Sequence, residues 1–464
     1  MKKLIFIFLF TLIPTLALSS NNQINVSPTQ QLVLSYLDSF QIKYDYIPSK
    51  NPQNIKLANI DVGDNNSVYT IDSLEIVNLN KKYFDNFSIN SFDKYKGNLF
   101  DKIILKNINA NATKVEYFEI KDVDIKQINQ LFSINLSNLS EFINSISIDK
   151  IYLKNAYAYT IGEGELSFSL LLENINKLNI GSLILSQFSY IDQVSDSRAF
   201  MESFLLKNLN FDKRLIDKTI NMILINSYSD LSEYSTKLDL LRIENFELIL
   251  EEDDIEFKFA KMDGTTNNNG NTKIVFRDIY LDRKNNKNPI YKEVIKKLNS
   301  DNLYDLVWDI EYNKSKKTSF NKLKLQSNNL FEIILEISLS NYDMNSFAQA
   351  QYLNDQNYFD SNVKLNNFIL YYDDDGFAKA LIKEIEKQES ISITKEGIES
   401  EMEEFLNEFG TSVFIEKYIN EIYKFILKPR NIKISINPNP DLTFTQIMKL
   451  IDNNNSAEFI FDKL

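Results

Sequence analysis

Two clusters of acidic residues have the type and spacing that chemistry at a site would need. Residues 251–254 and 373–375 each place several carboxylates beside a predicted strand end. Paired carboxylates hydrolyse glycosides, because that reaction needs one acid and one base or nucleophile at a set distance. Carboxylate oxygens also bind calcium, although neither cluster has the spacing of an EF-hand loop.

Each acidic cluster also has a structural interpretation. Runs of adjacent acids are typical of solvated turns, and residues 373–375 precede a predicted helix whose N-terminus favours negative charge. The structural interpretation outweighs the chemical one for both clusters. The sequence therefore assigns no catalytic, cofactor-binding or metal-binding residue.

The residue types that the chain lacks narrow the possible chemistry further. It has no His and no Cys. Ser-His-Asp and Cys-His nucleophilic sites are thereby excluded, as are His-ligated zinc and iron–sulfur clusters. We expect a protein that is not an enzyme and that needs no cofactor.

The charge balance excludes one class of partner. The formal net charge is −13 and the sequence pI is about 4.9. A nucleic-acid binder needs a basic surface to displace counterions, and no such surface is visible. The acidic balance disfavours broad adhesion to anionic membranes but leaves room for an apolar ligand in an interior groove.

β-strands are the elements that must position any site. One short alternating sequence pattern, here called the cassette, recurs along the chain. It consists of an apolar residue, any residue, an apolar residue, any residue, a small polar residue and an apolar residue. This alternation has the period of a strand with one buried face. Copies begin at residues 74, 103, 118, 151, 183, 204, 241, 274 and 363.

The copy at residue 103 shows what the cassette predicts. Strict alternation places Ile103, Leu105 and Asn107 on one face and Ile108 on the other. Asn is depleted inside strands, so the asparagine predicts a bend, a bulge or a strand end. The copies are irregularly spaced, by 15 residues (118 − 103) and then 33 (151 − 118). Two interpretations stay open, ordinary β-propensity in a long sheet or degenerate duplicated units.

The first residues predict a secretory signal. Lys2 and Lys3 precede the uncharged apolar run of residues 4–16, and Ala17-Leu18-Ser19 supplies small residues for cleavage after Ser19 or Ser20. The alternative is an uncleaved anchor, for which the run is short. We expect an exported protein, periplasmic or extracellular, with no membrane-spanning segment after cleavage.

The predicted fold class is α+β and predominantly antiparallel β, a long twisted sheet with packed helices and a C-terminal helical segment. Its regions are a signal peptide at 1–19, a β-rich region at 20–212, a second β-rich region with helical insertions at 213–372, and C-terminal helices with short strands at 373–464. A flexible polar loop is predicted at 263–271. Helices are predicted after Ser27, at 213–226, from Pro289, from Phe377, at 394–410, at 412–427 and around Ile447, with a final strand at 459–461.

The C-terminal part carries a resemblance. A strand ending in Asp is followed by helices, Pro429, the alternating strand of residues 432–436, and Pro438-Asn439-Pro440. This order resembles the end of an uncharacterised family of exported bacterial proteins with repeated strand cassettes and a Pro-strand-Pro-x-Pro tail. The resemblance covers about the last hundred residues and implies no activity.

Three functions follow from these patterns. The first is a non-catalytic scaffold or binding protein of the cell envelope, with an unknown envelope protein as its partner. The second is a carrier that holds a lipid or other apolar ligand in a groove of the sheet. The third is a carboxylate glycosidase or a calcium-dependent saccharide binder.

Overall fold

The computed structural model describes most of the chain between residues 26 and 452. The predicted signal peptide, the predicted helix at 213–226, most of the one at 394–410 and the predicted strand at 459–461 lie outside the described residues. The described residues are 26–39, 41–63, 69–80, 98, 100–125, 146–160, 162, 164–210, 238–251, 255–267, 271–283, 289–298, 302–327, 330–343, 357–388, 390, 393–394, 396–397, 400, 421–438 and 441–452.

The chain divides into two compact units, Met1–Ile243 and Glu244–Leu464. In the N-terminal unit, helix α1 (Pro28–Ser39) precedes nine strands, each antiparallel to the next. These strands are β1 (Lys43–Tyr46), β2 (Ile55–Asp61), β3 (Tyr69–Val77), β4 (Lys102–Ala110), β5 (Thr113–Ile125), β6 (Ile146–Thr160), β7 (Gly164–Asn176), β8 (Asn179–Asp192) and β9 (Arg198–Asn210).

The C-terminal unit has the same simple connectivity. Strand β10 (Leu240–Leu250) crosses the division between the units, and the pairs from β11 to β17 are antiparallel. The strands are β11 (Ile255–Thr266), β12 (Thr272–Arg283), β13 (Tyr304–Asn313), β14 (Thr318–Ser327), β15 (Phe331–Ser340), β16 (Lys364–Asp374), β17 (Asn431–Ile436) and β18 (Leu442–Thr443). The helices are α2 (Pro289–Leu298), α3 (Asn357–Asn362), α4 (Phe377–Gln388) and α5 (Phe444–Asp452), and residues 421–427 are also helical.

The prediction of a mainly antiparallel β protein is confirmed. The helical part of the prediction is weaker, because the helices with described bounds are five short ones between long strands. Helix α1 begins as predicted, with a capping box in which Ser27 Oγ accepts the N–H of Gln30 (3.2 Å) and Gln30 Oε1 accepts the N–H of Ser27 (2.8 Å).

Among the described residues, no helix is both long enough and apolar enough to cross a membrane.

The small polar residue of the cassette has a left-handed backbone. Asn107 has φ of +50°, and the corresponding residue is left-handed in eight of the nine cassette copies. The exception is Asn367, beside a register shift between β15 and β16. Asn and Asp adopt this conformation more readily than other residues with a Cβ. The predicted bend is therefore confirmed. The left-handed residues are Asn78, Asn107, Asp122, Asn155, Gln187, Asn208, Asn245 and Asp278.

This backbone corrects the predicted faces of the cassette. Ile108 was expected opposite Ile103 and Leu105, yet all three are buried in one core, and Asn107 is exposed. A left-handed residue turns the strand so that alternation restarts one position later. The apolar residues of a cassette therefore share a face at positions i, i+2 and i+5, as Ile55, Leu57 and Ile60 also do around left-handed Asn59.

The left-handed residues form two lines across the N-terminal sheet. Even-numbered strands carry them in one line, and odd-numbered strands carry them in the other, because the chain reverses direction at each turn. Just before β4, Asp101 lies beside left-handed Asn78 in one line, and Asn107 of β4 lies in the other, six residues on (107 − 101). The cassettes are thus irregular in sequence because the loops differ in length, while their places in the sheet are regular.

Side-chain hydrogen bonds join neighbouring strands along these lines. The Asn107 amide donates to Asp72 Oδ2 (2.8 Å), and the Asn78 amide donates to Asp101 Oδ2 (2.6 Å). The Asn155 amide donates to Glu116, whose carboxylate also binds Lys154. Each of these bonds links two strands at a point where the kink interrupts the backbone hydrogen bonds between them. Hydrogen bonds to charged acceptors are among the stronger ones.

The prediction of a flexible loop at 263–271 is wrong for residues 263–266. Residues 263–266 belong to β11, where Asp263 pairs with Val275 and Gly264 with Ile274 of β12. Backbone pairing with a neighbouring strand outweighs the local turn preference of Asp-Gly. At the two ends of the connection, the N–H of Asn267 donates to the carbonyl of Asn271 (2.9 Å).

The left-handed conformation gives a first prediction. Asn107→Val will lower the free energy of unfolding by about 1 kcal/mol more than Asn107→Gly, since a branched residue costs about 1–2 kcal/mol there and glycine gives back part of that in chain entropy. Both variants lose the hydrogen bond to Asp72, so the difference between their free energies of unfolding reports only the cost of the left-handed backbone conformation. Chemical denaturation measures it, with Lys106→Val as the control at the preceding exposed position. Equal stabilities for valine and glycine would contradict the interpretation.

Candidate functional site

An uninterrupted apolar surface crosses six strands of the C-terminal unit. Strand register aligns one apolar residue from each strand between β12 and β17 in a single row. A second row runs parallel to it through Phe276, Leu306, Leu325, Ile333, Tyr372 and Ile432. The first row consists of Ile274, Trp308, Leu323, Leu335, Leu370 and Ile434. We call these two rows the apolar floor.

The floor is not a closed core. Its residues are partly exposed, and Trp308 has 38 % of its surface open to solvent. The equivalent face of the N-terminal sheet differs, because α1 packs there and Ile55 and Leu57 are each 1 % exposed. Two apolar rows that cross six strands and remain partly exposed to solvent form a surface able to bind an apolar molecule.

The opposite face of the same strands is charged. Lys322 pairs with Glu336 (2.7 Å) and Lys324 with Glu332 (2.6 Å) across β14 and β15. Lys273 of β12 lies 3.3 Å from Asp309 of β13. Cross-strand ion pairs of this kind suit a solvated face. The sheet therefore has one wet side and one apolar side.

One end of the floor is bounded by helices. The ring of Phe377, at the start of α4, packs edge-on against Phe331 of β15 (centroids 5.5 Å apart). Phe425, in helical residues 421–427, packs in the same way on Tyr372 of β16 (5.6 Å). Because both contacts fall on floor strands, these helices stand beside the floor as a wall.

An ion pair with a buried carboxylate joins α4 to α2 in this wall. Glu384 of α4 is 1 % exposed, and its carboxylate binds the ammonium of Lys297 of α2. Lys387 Nζ and Gln388 Nε2 also approach it, each at 3.4 Å. The bond from Lys297 is the main cause that holds the pKa of Glu384 below its ordinary value of 4.5. The wall is thus fixed by a charge that stays ionised at neutral pH.

The other end of the floor is bounded by a small core. Leu339, Val363, Leu365 and Ile447 are buried there, and Ile337 of β15 packs against them. Ile447 belongs to α5, which begins with a capping box between Thr443 and Gln446 (3.2 and 2.9 Å). In the part of the chain that the structure describes, no element packs across the floor between this core and the α4 wall. The arrangement is a trough with an apolar floor.

The acidic cluster at 373–375 has structural partners. Asp374 Oδ1 accepts the N–H of Ala378 (2.6 Å) at the start of α4 and the hydroxyl of Tyr372 (2.9 Å). Burial, and then the bond to Asp374, raise the pKa of the Tyr372 hydroxyl. The backbone N–H of Asp375 donates to the carbonyl of Leu330 (3.0 Å). Asp374 is therefore a helix cap.

The other acidic cluster is only partly visible. Residues 252–254 lie outside the described residues, and Glu251 follows β10 in a turn. Within the ranges that the structure describes, no group of three or more carboxylates is placed to hold a metal ion. Among the described acidic residues of the two clusters, Asp374 has a structural role and Glu251 lies in a turn.

The sequence predicted a groove of the sheet as one possible site for an apolar ligand but not which strands form it. The alternation in residues 306–312 and 331–339 predicts strands without showing whether their apolar residues are covered. The available signal was the number of consecutive apolar strands between 304 and 374 compared with the few helices able to cover them.

Comparisons with known proteins place the C-terminal part only. A family model described as an uncharacterized protein matches residues 324–464, which confirms the predicted resemblance to an uncharacterised family over that range. No curated protein and no solved structure matches the chain. The matched range includes β15 to β17 and the helices on both sides of the floor.

Capping by Asp374 gives a second prediction. Asp374→Ala will lower the free energy of unfolding by about 1 kcal/mol, the usual effect of removing a helix cap. Asp375→Ala will change it little, because the exposed side chain of Asp375 is not the cap. Thermal unfolding of both variants with and without calcium measures this. If calcium raises the melting temperature of the parent protein and of neither variant, that result would contradict the capping role and favour a metal site.

The Lys297–Glu384 pair gives a third prediction. A lowered folded-state pKa adds stability that is present above pH 4.5 and is lost as pH falls through the folded value. Glu384→Gln will therefore be less stable than the parent at pH 7 and will lose less stability on acidification. Denaturation midpoints between pH 7 and pH 3 measure this. Glu311→Gln, at an exposed position of β13, is the control and should keep the parent's pH dependence.

Proposed function

We propose that this protein binds a lipid or another molecule with a long hydrocarbon chain on the apolar floor. The observation that carries the proposal is the pair of apolar rows, which cross six strands and stay partly exposed. The charged reverse side of β14 and β15 supports it, because only one face is suited to an apolar ligand.

The dimensions of the floor support a chain-shaped ligand. Six strands give five spacings of about 4.8 Å each, or about 24 Å across the strands. The hydrocarbon core of a bilayer is about 30 Å thick, so one acyl chain spans about 15 Å. An acyl chain lying across the strands therefore fits on the floor with room to spare.

The energetics favour the same class of ligand. Burying a methylene stabilises a complex by about 0.8 kcal/mol. Ten methylenes on the floor would contribute about 8 kcal/mol before the entropy of binding is subtracted. An ion gains nothing from such a surface, and a sugar gains less than a hydrocarbon chain because its hydroxyl groups would lose hydrogen bonds to water without replacement. The floor thus favours a carrier over a saccharide binder.

The carrier and the scaffold differ in what covers the floor. A scaffold would place a partner protein on a face of the sheet, and the charged face serves that role as well as the floor does. A carrier needs the open apolar trough in particular. The predicted export signal would place such a carrier in an aqueous compartment, where a hydrocarbon chain must be shielded from water.

Trp308 provides a direct test. It is the only Trp in the chain and belongs to the floor. Addition of a monounsaturated fatty acid to the purified protein will shift its emission to shorter wavelength, because the indole leaves water. A fatty acid brominated on the chain will quench the same emission. An unchanged spectrum with both probes, at concentrations that saturate other fatty-acid carriers, would refute the proposal.

A matched pair of variants separates the two faces. Leu335→Asp places a charge in the middle of the floor and will abolish the fluorescence response. Val307→Asp places the same charge beside Trp308 on the reverse face, opposite Lys324, and will preserve the response. Circular dichroism of both variants verifies folding. Equal loss in both variants would show that the response does not come from the floor.

A further inference from the structure

A basic segment lies where the wall of the trough meets the edge of its floor. Lys428, Arg430 and Lys433 fall within six residues, with no acidic residue among them, in a chain of net charge −13. All three side chains are exposed. Among the described residues none of them has an ion pair, whereas nearby Lys424 pairs with Glu421 (2.5 Å). We call these three residues the basic edge.

The fold ties the basic edge to the floor. Lys428 follows helical residues 421–427, whose Phe425 packs on Tyr372 of the floor. The carbonyl of Arg430 accepts the N–H of Asp374 (2.5 Å), which fixes the start of β17 against β16. Ile432 and Ile434, on either side of Lys433, are the last members of the two apolar rows. Lys433 itself lies in the register row of Val307, Lys324 and Tyr371, on the reverse face of β17. Lys428 and Arg430 come just before β17 and border the end of the apolar surface.

Each cation has a simpler structural role when taken alone. A Lys at a helix C-terminus interacts favourably with the helix dipole, and a Lys on an outer strand discourages edge pairing. Asp373 lies on the same face as Lys433 but forms no ion pair with it within the described residues. These roles do not account for Arg430, nor for the lack of an ion pair at both Lys428 and Arg430 among the described residues.

We infer that the ligand of the floor is an anionic lipid, whose phosphate is held by Lys428 and Arg430 of the basic edge while its chains lie on the floor. This inference rests on the proposed function. Lys and Arg near a lipid phosphate attract it, and an Arg guanidinium can bind two of its oxygens at once. Headgroup contact at β17 would orient the chains from β17 towards β12.

Two lipids with the same chains test the inference on the full-length protein. Phosphatidylglycerol carries the phosphate and diacylglycerol lacks it. In a Trp308 titration with each, phosphatidylglycerol will bind roughly tenfold more tightly, and its affinity will fall with added salt. The variant Lys428→Gln, Arg430→Gln, Lys433→Gln will bind both lipids equally.

A charge-matched variant is the control. Lys314→Gln, Lys316→Gln, Lys317→Gln changes three exposed lysines in the turn between β13 and β14, so the net charge changes by the same amount. It will keep the preference for phosphatidylglycerol. Loss of the preference in this control as well would assign it to the net charge and overturn the inference.

The remaining outcomes distinguish a failure of headgroup recognition from a failure of lipid binding on the floor. If the parent protein binds both lipids equally, the basic edge does not read the headgroup, and the proposed function stands alone. If neither lipid binds, the proposed function fails and the inference falls with it. If glycerol phosphate displaces phosphatidylglycerol completely at equal concentration, the basic edge binds free phosphates and the lipid assignment is wrong.

Discussion

The left-handed residue in eight of the nine cassettes is the constraint on which the rest of the sheet depends. A side chain with a Cβ is disfavoured in that conformation, and Asn or Asp is disfavoured least. At Asn107 the amide also bonds to Asp72, so one residue supplies both the kink and the link to the next strand. The opposite strand must accommodate each kink as well. Gly181 faces left-handed Asn174, and a Cβ on Gly181 would lie 2.8 Å from that of Asn174. Lateral order across the sheet follows from this matching.

The kinks decide which apolar residues face the same side. Because alternation restarts after Asn107, Ile103, Leu105 and Ile108 are buried together. What then lies over the apolar face decides its use. In the N-terminal unit α1 covers part of that face and makes a core. In the C-terminal unit the helices with described positions stand at the two ends of the strands, which leaves the rows through Trp308 partly open.

Charge is distributed to match these two surfaces. Ion pairs such as Lys322–Glu336 occupy the reverse side of the C-terminal sheet, where water screens them and they cost little to keep. The ion pair between exposed Lys297 and buried Glu384 lies in the wall between α2 and α4 and joins those helices. Lys428 and Arg430, which have no ion pair among the described residues, come instead just before β17, the last strand of the apolar floor.

The sequence by itself determined the strands, their antiparallel class and the bend at the cassette asparagine, because alternation and Asn propensity are local properties. It also predicted the helices at Pro28, Pro289 and Phe377, whose caps and apolar stripes are local too. Only the tertiary structure decided that Ile108 faces the core, since one left-handed residue reverses every side chain after it. The floor was equally out of reach: whether Leu335 is core or binding surface depends on what packs above it, and that is fixed by residues distant in the chain. The same holds for Asp374, whose role as a cap depends on where α4 begins relative to β16.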